Sequence, residues 1–204
     1  LDDLLVGAPS WNAGLGGEGA AFLWLGSAAG PSPTADWTAV GDQENGHFGS
    51  ALGGCGDLDA EGHADLVIGA PHEDDLAVDG GRVHVFLGGA SGPSTTADLV
   101  LAFPQTGAWF GASLSPPVDL NGDGSPDLVV GAPNGAFDNP QEGVVVAFSG
   151  GPGGPSSLPV RAVSGGAGIA HFGSALASAG DLDGDGYADL VVGSWGWSET
   201  EVAE

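Results

Sequence analysis

The chain has 204 residues, of which 40 are Gly and 14 are Pro, yet 42% are apolar; disordered chains are poor in apolar residues, so the composition predicts a folded, turn-rich, β-dominated protein. Asp and Glu number 27 against two basic residues, Arg82 and Arg161, for a net charge of −25. Such a surface repels phosphate backbones and anionic lipid, which excludes nucleic-acid binding and electrostatic docking on membranes, and its uncompensated carboxylates point to divalent cations.

The first element, Asp3-Leu4-Leu5-Val6-Gly7-Ala8-Pro9, returns at Asp65 to Pro71, at Asp127 to Pro133, and as Asp189-Leu190-Val191-Val192-Gly193-Ser194-Trp195. Each copy stands 62 residues after the last. Phe48-Gly49, Phe110-Gly111 and Phe172-Gly173 keep the same step, as do Gly19, Gly81 and Gly143. A fixed period of this length marks a repeat architecture. No run of 18 apolar residues offers insertion into a membrane. The single Cys55 has no internal disulfide partner and reads as a small buried residue.

Within one period the first expected strand is Phe48 to Leu52, built of small residues. An Asp-rich loop follows, then a continuous apolar strand from Asp65 to Ala70, as expected where both faces are covered. The third strand is Arg82 to Leu87 and the fourth Ala97 to Ala102, with a Gly-Pro turn (92–93, and again at 30–31 and 154–155) between them. Four antiparallel strands led by a small-residue strand suit a β-propeller blade, whose innermost strands crowd the axis. The predicted fold is therefore all-β, a partial arc of about three 62-residue repeats in four-stranded blades. Its expected divisions are a partial blade at 1–46, blades at 47–108 and 109–170, and a partial blade at 171–204, within one propeller region that is a fragment of a larger one.

The Asp-rich loops carry the chemistry. They read Asp57-Leu58-Asp59-Ala60-Glu61-Gly62-His63-Ala64-Asp65, Asp119-Leu120-Asn121-Gly122-Asp123-Gly124-Ser125-Pro126-Asp127 and Asp181-Leu182-Asp183-Gly184-Asp185-Gly186-Tyr187-Ala188-Asp189. Each offers side-chain oxygens at positions 1, 3, 5 and 9, and a backbone carbonyl at position 7 (His63, Ser125, Tyr187). Hard, clustered oxygens suit Ca²⁺, giving three structural sites. An EF-hand needs an acid at position 12, where Ile68, Val130 and Val192 stand instead, and a nonapeptide β-roll needs a nine-residue period that is absent. Even with three ions bound the net charge stays acidic. The 181–189 loop, with four Asp and two Gly, is expected to bind best, followed by 119–127 and then 57–65. By the same ranking Asp189→Ala should cost more than Asp65→Ala.

Phe-Gly, an Asp-rich loop and Gly-Ala-Pro together resemble the FG-GAP repeat of integrin α-subunit propellers and of bacterial secreted proteins, over essentially the whole chain. Gly193-Ser194-Trp195 departs from Gly-Ala-Pro in the last copy. The resemblance implies a propeller of about seven blades. It also implies ligand recognition on the face opposite the calcium loops. That face would present Trp11, Asp74, Asp75, Phe137 and Trp197 to a protein or glycan. His47, Trp109 and His171, just before each Phe-Gly, read as packing between blades, and Arg82 and Arg161 as partners in local ion pairs.

No nucleophile elbow, phosphate loop or His-rich metal site appears, so the expected function is a non-catalytic, calcium-stabilised binding or adhesion propeller. Its expected setting is extracellular, secreted or at the cell surface. Two alternatives remain: an accessory propeller of a secreted hydrolase or polysaccharide lyase, and a structural repeat of a surface fibre. Raw strand edges at both ends predict self-association or pairing with the remainder of the same propeller.

Overall fold

The computed structural model describes residues 2–54 and 56–198, so the expected burial of Cys55 lies outside the described residues. Thirteen strands form four separate antiparallel sheets, and no helix is present among the described residues. The first sheet orders β1 (Leu4–Ala8), β2 (Ala20–Trp24) and β3 (Trp37–Val40). The second orders β4 (Ala51–Gly54), β5 (Leu66–Ala70), β6 (Arg82–Phe86) and β7 (Leu99–Ala102). The third repeats it with β8 (Ser113–Leu114), β9 (Leu128–Ala132), β10 (Val144–Phe148) and β11 (Arg161–Ser164). The fourth pairs β12 (Phe172–Gly180) with β13 (Asp189–Ser194). Sheets follow one another through their first strands: β4 packs against β1 and β8, and β12 against β8 and β9. This is a partial β-propeller.

The first strand begins later than the expected Phe48 to Leu52. His47 and Gly49 have φ of 56° and 89°, so the Phe-Gly pair turns sharply and drives Phe48 into the core before extended backbone starts at Ala51. In the third blade this strand is only two residues long, because Pro116-Pro117 cannot donate to the ladder, which resumes as a single bridge between Val118 and Asp127.

The signature glycines lie where blades meet. A Cβ on Gly7, Gly69 or Gly131 would fall 2.1, 2.0 or 2.1 Å from the carbonyl oxygen of Gly49, Gly111 or Gly173 in the next blade. Within the second blade Gly49 N–H bonds to the Gly69 carbonyl at 3.0 Å, and Gly111 repeats this bond to Gly131. Gly of Gly-Ala-Pro and Gly of Phe-Gly are thus one contact, closed twice, which fixes blade spacing. The core runs through these junctions, with Val67, Val85, Phe110, Leu128 and Val130 buried between the second and third blades.

Candidate metal centres

Successive antiparallel strands send the three Asp-rich loops to one end of the blades and the loops after Gly-Ala-Pro to the other. Each Asp-rich loop is wound around its first aspartate. Asp119 Oδ1 accepts the N–H groups of Gly122 (2.7 Å) and Asp123 (3.2 Å), and Oδ2 that of Gly124 (2.9 Å). Asp181 repeats the pattern with Gly184, Asp185 and Gly186 at 2.7, 3.1 and 2.9 Å. Asp57 takes only Glu61 (2.9 Å) and Gly62 (2.8 Å). Position 4 explains the difference. Gly122 and Gly184 sit at φ 74° and 78°, and Ala60 is forced to 61°, a conformation that costs a residue with a Cβ about 1–2 kcal/mol.

The winding brings carboxylates together. One oxygen each from Asp57, Asp59 and Asp65 lie within 4.8 Å of one another, and Asp181, Asp183 and Asp189 form the same triad. With Asn121 at position 3, the 119–127 loop offers a neutral oxygen in place of the third carboxylate. Burial pushes the Asp65 carboxyl above the ordinary value, against N–H bonds from Gly88 and Leu58, and the charges of Asp59 and Asp57 push it further. Asp127 is raised in the same way beside Asp123 and Asp119, and Asp59 by burial and by Asp57 and Glu61. Mutually repelling, oxygen-only groups in a wound loop are the donor set a hard divalent cation requires. Bound there, such a cation would neutralise the carboxylates and hold the loop.

Other predicted ligands lie differently. The Glu61 carboxylate turns to His63 Nδ1, and neither Glu61 nor Asp185 belongs to the triads. Asp123 Oδ1 accepts the N–H of Ser125 at 2.8 Å. The Tyr187 ring lies over Gly122, joining the third loop to the second. Position 9 has a second role that spacing alone did not show. Asp65 bonds Leu58 N–H at 2.6 Å and Gly88 N–H at 2.7 Å, and Asp127 bonds Leu120 N–H at 2.9 Å and Gly150 N–H at 3.1 Å. These aspartates latch the loop to the third strand's exit. Buried Asp65 has both bonds, whereas half-buried Asp189 has the one from Leu182 N–H at 2.7 Å among the described residues. For stability without metal the expected order therefore reverses: Asp65→Ala costs more than Asp189→Ala.

At the opposite end Trp11, Phe137 and Trp197 are 47%, 53% and 53% exposed. Trp11 packs edge-on against Phe22 at 5.2 Å. Asp74 accepts the Asp79 N–H at 2.7 Å and Asp75 lies 3.6 Å from Arg82 Nε, so both help shape their own loop. The residues before Phe-Gly do pack between elements: His72 lies between His47 and Trp109, and His171 stacks on Trp195 at 4.1 Å. Arg82 pairs with Asp42, Glu73 and Asp75, while Arg161 is exposed on β11 with no ion pair among the described residues.

Glu18, Glu73 and Glu142 are buried, and the sequence alone placed Glu73 with the exposed acids of the recognition face. Glu142 accepts the N–H groups of Phe137 and Asp138, and Glu18 those of Ala13 and Leu15, each pinning the loop after the second strand. In the second blade Gly80 stands in this place and Glu73 enters from the loop's other arm, meeting His84 Nε2 at 2.7 Å. The available signal was an acid directly before Gly19 and Gly143. Burial alone would raise the Glu142 carboxyl, but its hydrogen bonds from Phe137, Asp138 and Asn139 outweigh it and hold the group below the ordinary value. The stability it contributes is present above the unfolded value and lost as pH falls through the lower, folded one. Glu142→Gln is expected to lower stability at pH 7 by about 1–3 kcal/mol, with the difference shrinking in acid, as urea unfolding at several pH values would show.

The FG-GAP repeat family matches residues 48–86, and the FG-GAP-like repeat family matches residues 119–192. Integrin alpha-IIb of Mus musculus is 35% identical over 173 residues, covering 79% of this chain and 16% of that protein. Integrin alpha-PS2 of Drosophila melanogaster is 38% identical over 173 residues, covering 76% and 12%, and integrin alpha-7 of Homo sapiens 36% over 159 residues, covering 76% and 13%. The chain spans less than a fifth of the length of these relatives. Motif register, blade topology and these matches agree: the chain belongs to the FG-GAP repeat family.

Proposed function

We propose that the chain is a non-catalytic binding propeller of the extracellular space or cell surface. Ca²⁺ in the loops 57–65, 119–127 and 181–189 holds it, and it recognises a protein or glycan through the loops at the other end. The observation that carries this reading is the convergence of carboxylates at one repeat position, twice as a triad within 4.8 Å. Asp57, Asp59 and Asp65, then Asp119, Asn121 and Asp127, then Asp181, Asp183 and Asp189 would hold the ions. Millimolar extracellular calcium suits open loops of this kind, whose affinities run to about 10⁻⁴–10⁻³ M. On this reading 47–108 and 109–170 are blades, and 1–46 and 171–204 partial blades, of one propeller region.

At the recognition end, Gln43 and Gln105 each clasp the next loop by its backbone, at Asp74 and Ala136, so the exposed Phe137 stands on a braced loop. Aromatic anchors on a fixed surface are effective in recognition because little side-chain entropy is lost. Arrays of glycans and of extracellular matrix proteins, probed with the calcium-loaded chain, test the reading. Binding is expected to fall at least tenfold in Phe137→Ser or Trp197→Ser and to survive Tyr187→Ser at the calcium end. No binding to either array would favour a structural repeat.

A further inference from the structure

The first and second sheets meet as the second and third do, but with different residues at one point. Between the second and third sheets, Leu101, Phe103, Val144 and Val146 belong to one core cluster, and Phe103 stacks on Phe110 at 5.8 Å. The residues 62 positions earlier are Ala39, Gly41, Arg82 and His84. Two large apolar side chains are replaced by small ones, and two buried valines by an arginine and a histidine. In place of the packed junction stands a cleft of about 370 Å³ lined by these four residues, with walls from β3, β6 and β7.

Arg82 shows what the cleft can hold. Its Nη1 lies 3.6 Å from Glu73 and 3.9 Å from Asp42, and its Nε lies 3.6 Å from Asp75. These distances serve ion pairing but exceed the hydrogen-bond range. Nε is buried and has no hydrogen-bond partner among the described residues. The charge of the guanidinium is thus met three times over, while its planar set of donors is left open. A ligand completing this site supplies neutral oxygen acceptors rather than a negative charge, which three nearby carboxylates and a net charge of −25 would repel. The rest of the cleft agrees. Thr38, Thr95 and Thr96 bring hydroxyls that both donate and accept, and Asp42, largely exposed, accepts. Val40 and Val100, one from each sheet and 44% and 42% exposed, add apolar surface. Fully buried Glu73 meets His84 Nε2 at 2.7 Å, so the imidazole wall is held in place.

We propose that this cleft binds a neutral sugar residue. Hydroxyl oxygens of the sugar accept from Arg82, its hydroxyl protons go to Asp42 and the threonines, and the C–H surface of the ring lies against Val40 and Val100. The volume stands at the low end of the range of about 300–1,000 Å³ for ligand cavities, which suits a single ring better than a long chain. Trp11, Phe137 and Trp197 take no part in the lining, so this site is tested apart from the recognition surface proposed above.

Saturation-transfer NMR on the 204-residue chain, with glucose, galactose, mannose, fucose and N-acetylglucosamine as probes and glucuronate as the charged comparison, tests this. At least one neutral sugar is expected to bind, and to bind more tightly than glucuronate. Its affinity should change by less than about twofold between roughly 50 and 300 mM salt, as for an uncharged ligand. Arg82→Lys keeps the charge and removes the planar donors, and should weaken binding at least about tenfold. Ala39→Leu installs the side chain that the next junction already carries, and should fill the cleft and abolish binding. Phe137→Ser should leave binding unchanged. Circular dichroism checks that each variant stays folded. Silence from all five neutral sugars would overturn the proposal, as would tighter binding of glucuronate or binding untouched by either cleft variant in its folded form. Binding lost in Phe137→Ser and kept in Arg82→Lys would also overturn it, and would move the sugar to the recognition end.

Discussion

Gly69→Ala is expected to cost about 3 kcal/mol or more, lowering the melting temperature by roughly 6–12 °C for a chain of this size. The added methyl would lie 2.0 Å from the Gly111 carbonyl oxygen and 3.3 Å from the Ala51 side chain. Neither neighbour can step aside. Gly111 sits at φ 86° in the turn that positions Phe110, and its N–H is bonded to the Gly131 carbonyl of its own blade at 3.0 Å. Relief would require the second and third blades to separate, opening the cluster of Phe110, Val67, Leu128 and Val130. Backbone entropy is not the cause, because Gly69 lies in a regular ladder opposite Ala51 and Val83. Gly168→Ala is the matched control. Its methyl would meet nothing closer than the Pro140 carbonyl at 3.7 Å, and a change within about 0.5 kcal/mol is expected. Thermal melts of both variants decide the matter, and equal losses would show that the blade contact is not the origin.

This contact also shows what the sequence could and could not disclose. The 62-residue step located β5, β9 and β13 to within a residue or so, because a continuous apolar run between turn residues has few alternatives. It did not show that β4 and β8 begin only after Phe48-Gly49 and Phe110-Gly111, which turn on a left-handed backbone, whereas β12 does start at Phe172. The Asp-rich loops were legible as clusters of oxygen-bearing side chains at fixed spacing. The latch role of Asp65 and Asp127 was not, because their partners Gly88 and Gly150 lie 23 residues away across the sheet. Nor did composition separate the buried Glu18, Glu73 and Glu142 from the other acids. An acid serving backbone N–H groups and one facing solvent look alike until the loop is folded around them.

Removing calcium is expected to produce the second large effect, a fall in melting temperature that returns on adding the ion. On the proposed metal reading, calcium at about 100 times its dissociation constant adds roughly 2.7 kcal/mol for each occupied loop. Substitution at position 3 separates the loops with least damage to the fold. Asp59, Asn121 and Asp183 each hold only the N–H of position 5, at 3.2, 2.8 and 3.0 Å, whereas position 9 latches the sheet. With chelator present, Asp59→Ala, Asn121→Ala and Asp183→Ala should therefore melt close to the parent chain. With calcium the losses should diverge. Asp183→Ala should lose most, because its loop has a full carboxylate triad and glycine at φ 78° and 94° where the chain turns left. Asn121→Ala removes a neutral oxygen from a loop with the same two glycine turns. Asp59→Ala should lose least, because Ala60 already strains that loop and Glu61 is engaged by His63. Calcium titration calorimetry on the three variants should give the same order. Melting that ignores chelator would remove calcium from the account of this fold, and the tightest site at 57–65 would show that Ala60 strain does not set affinity.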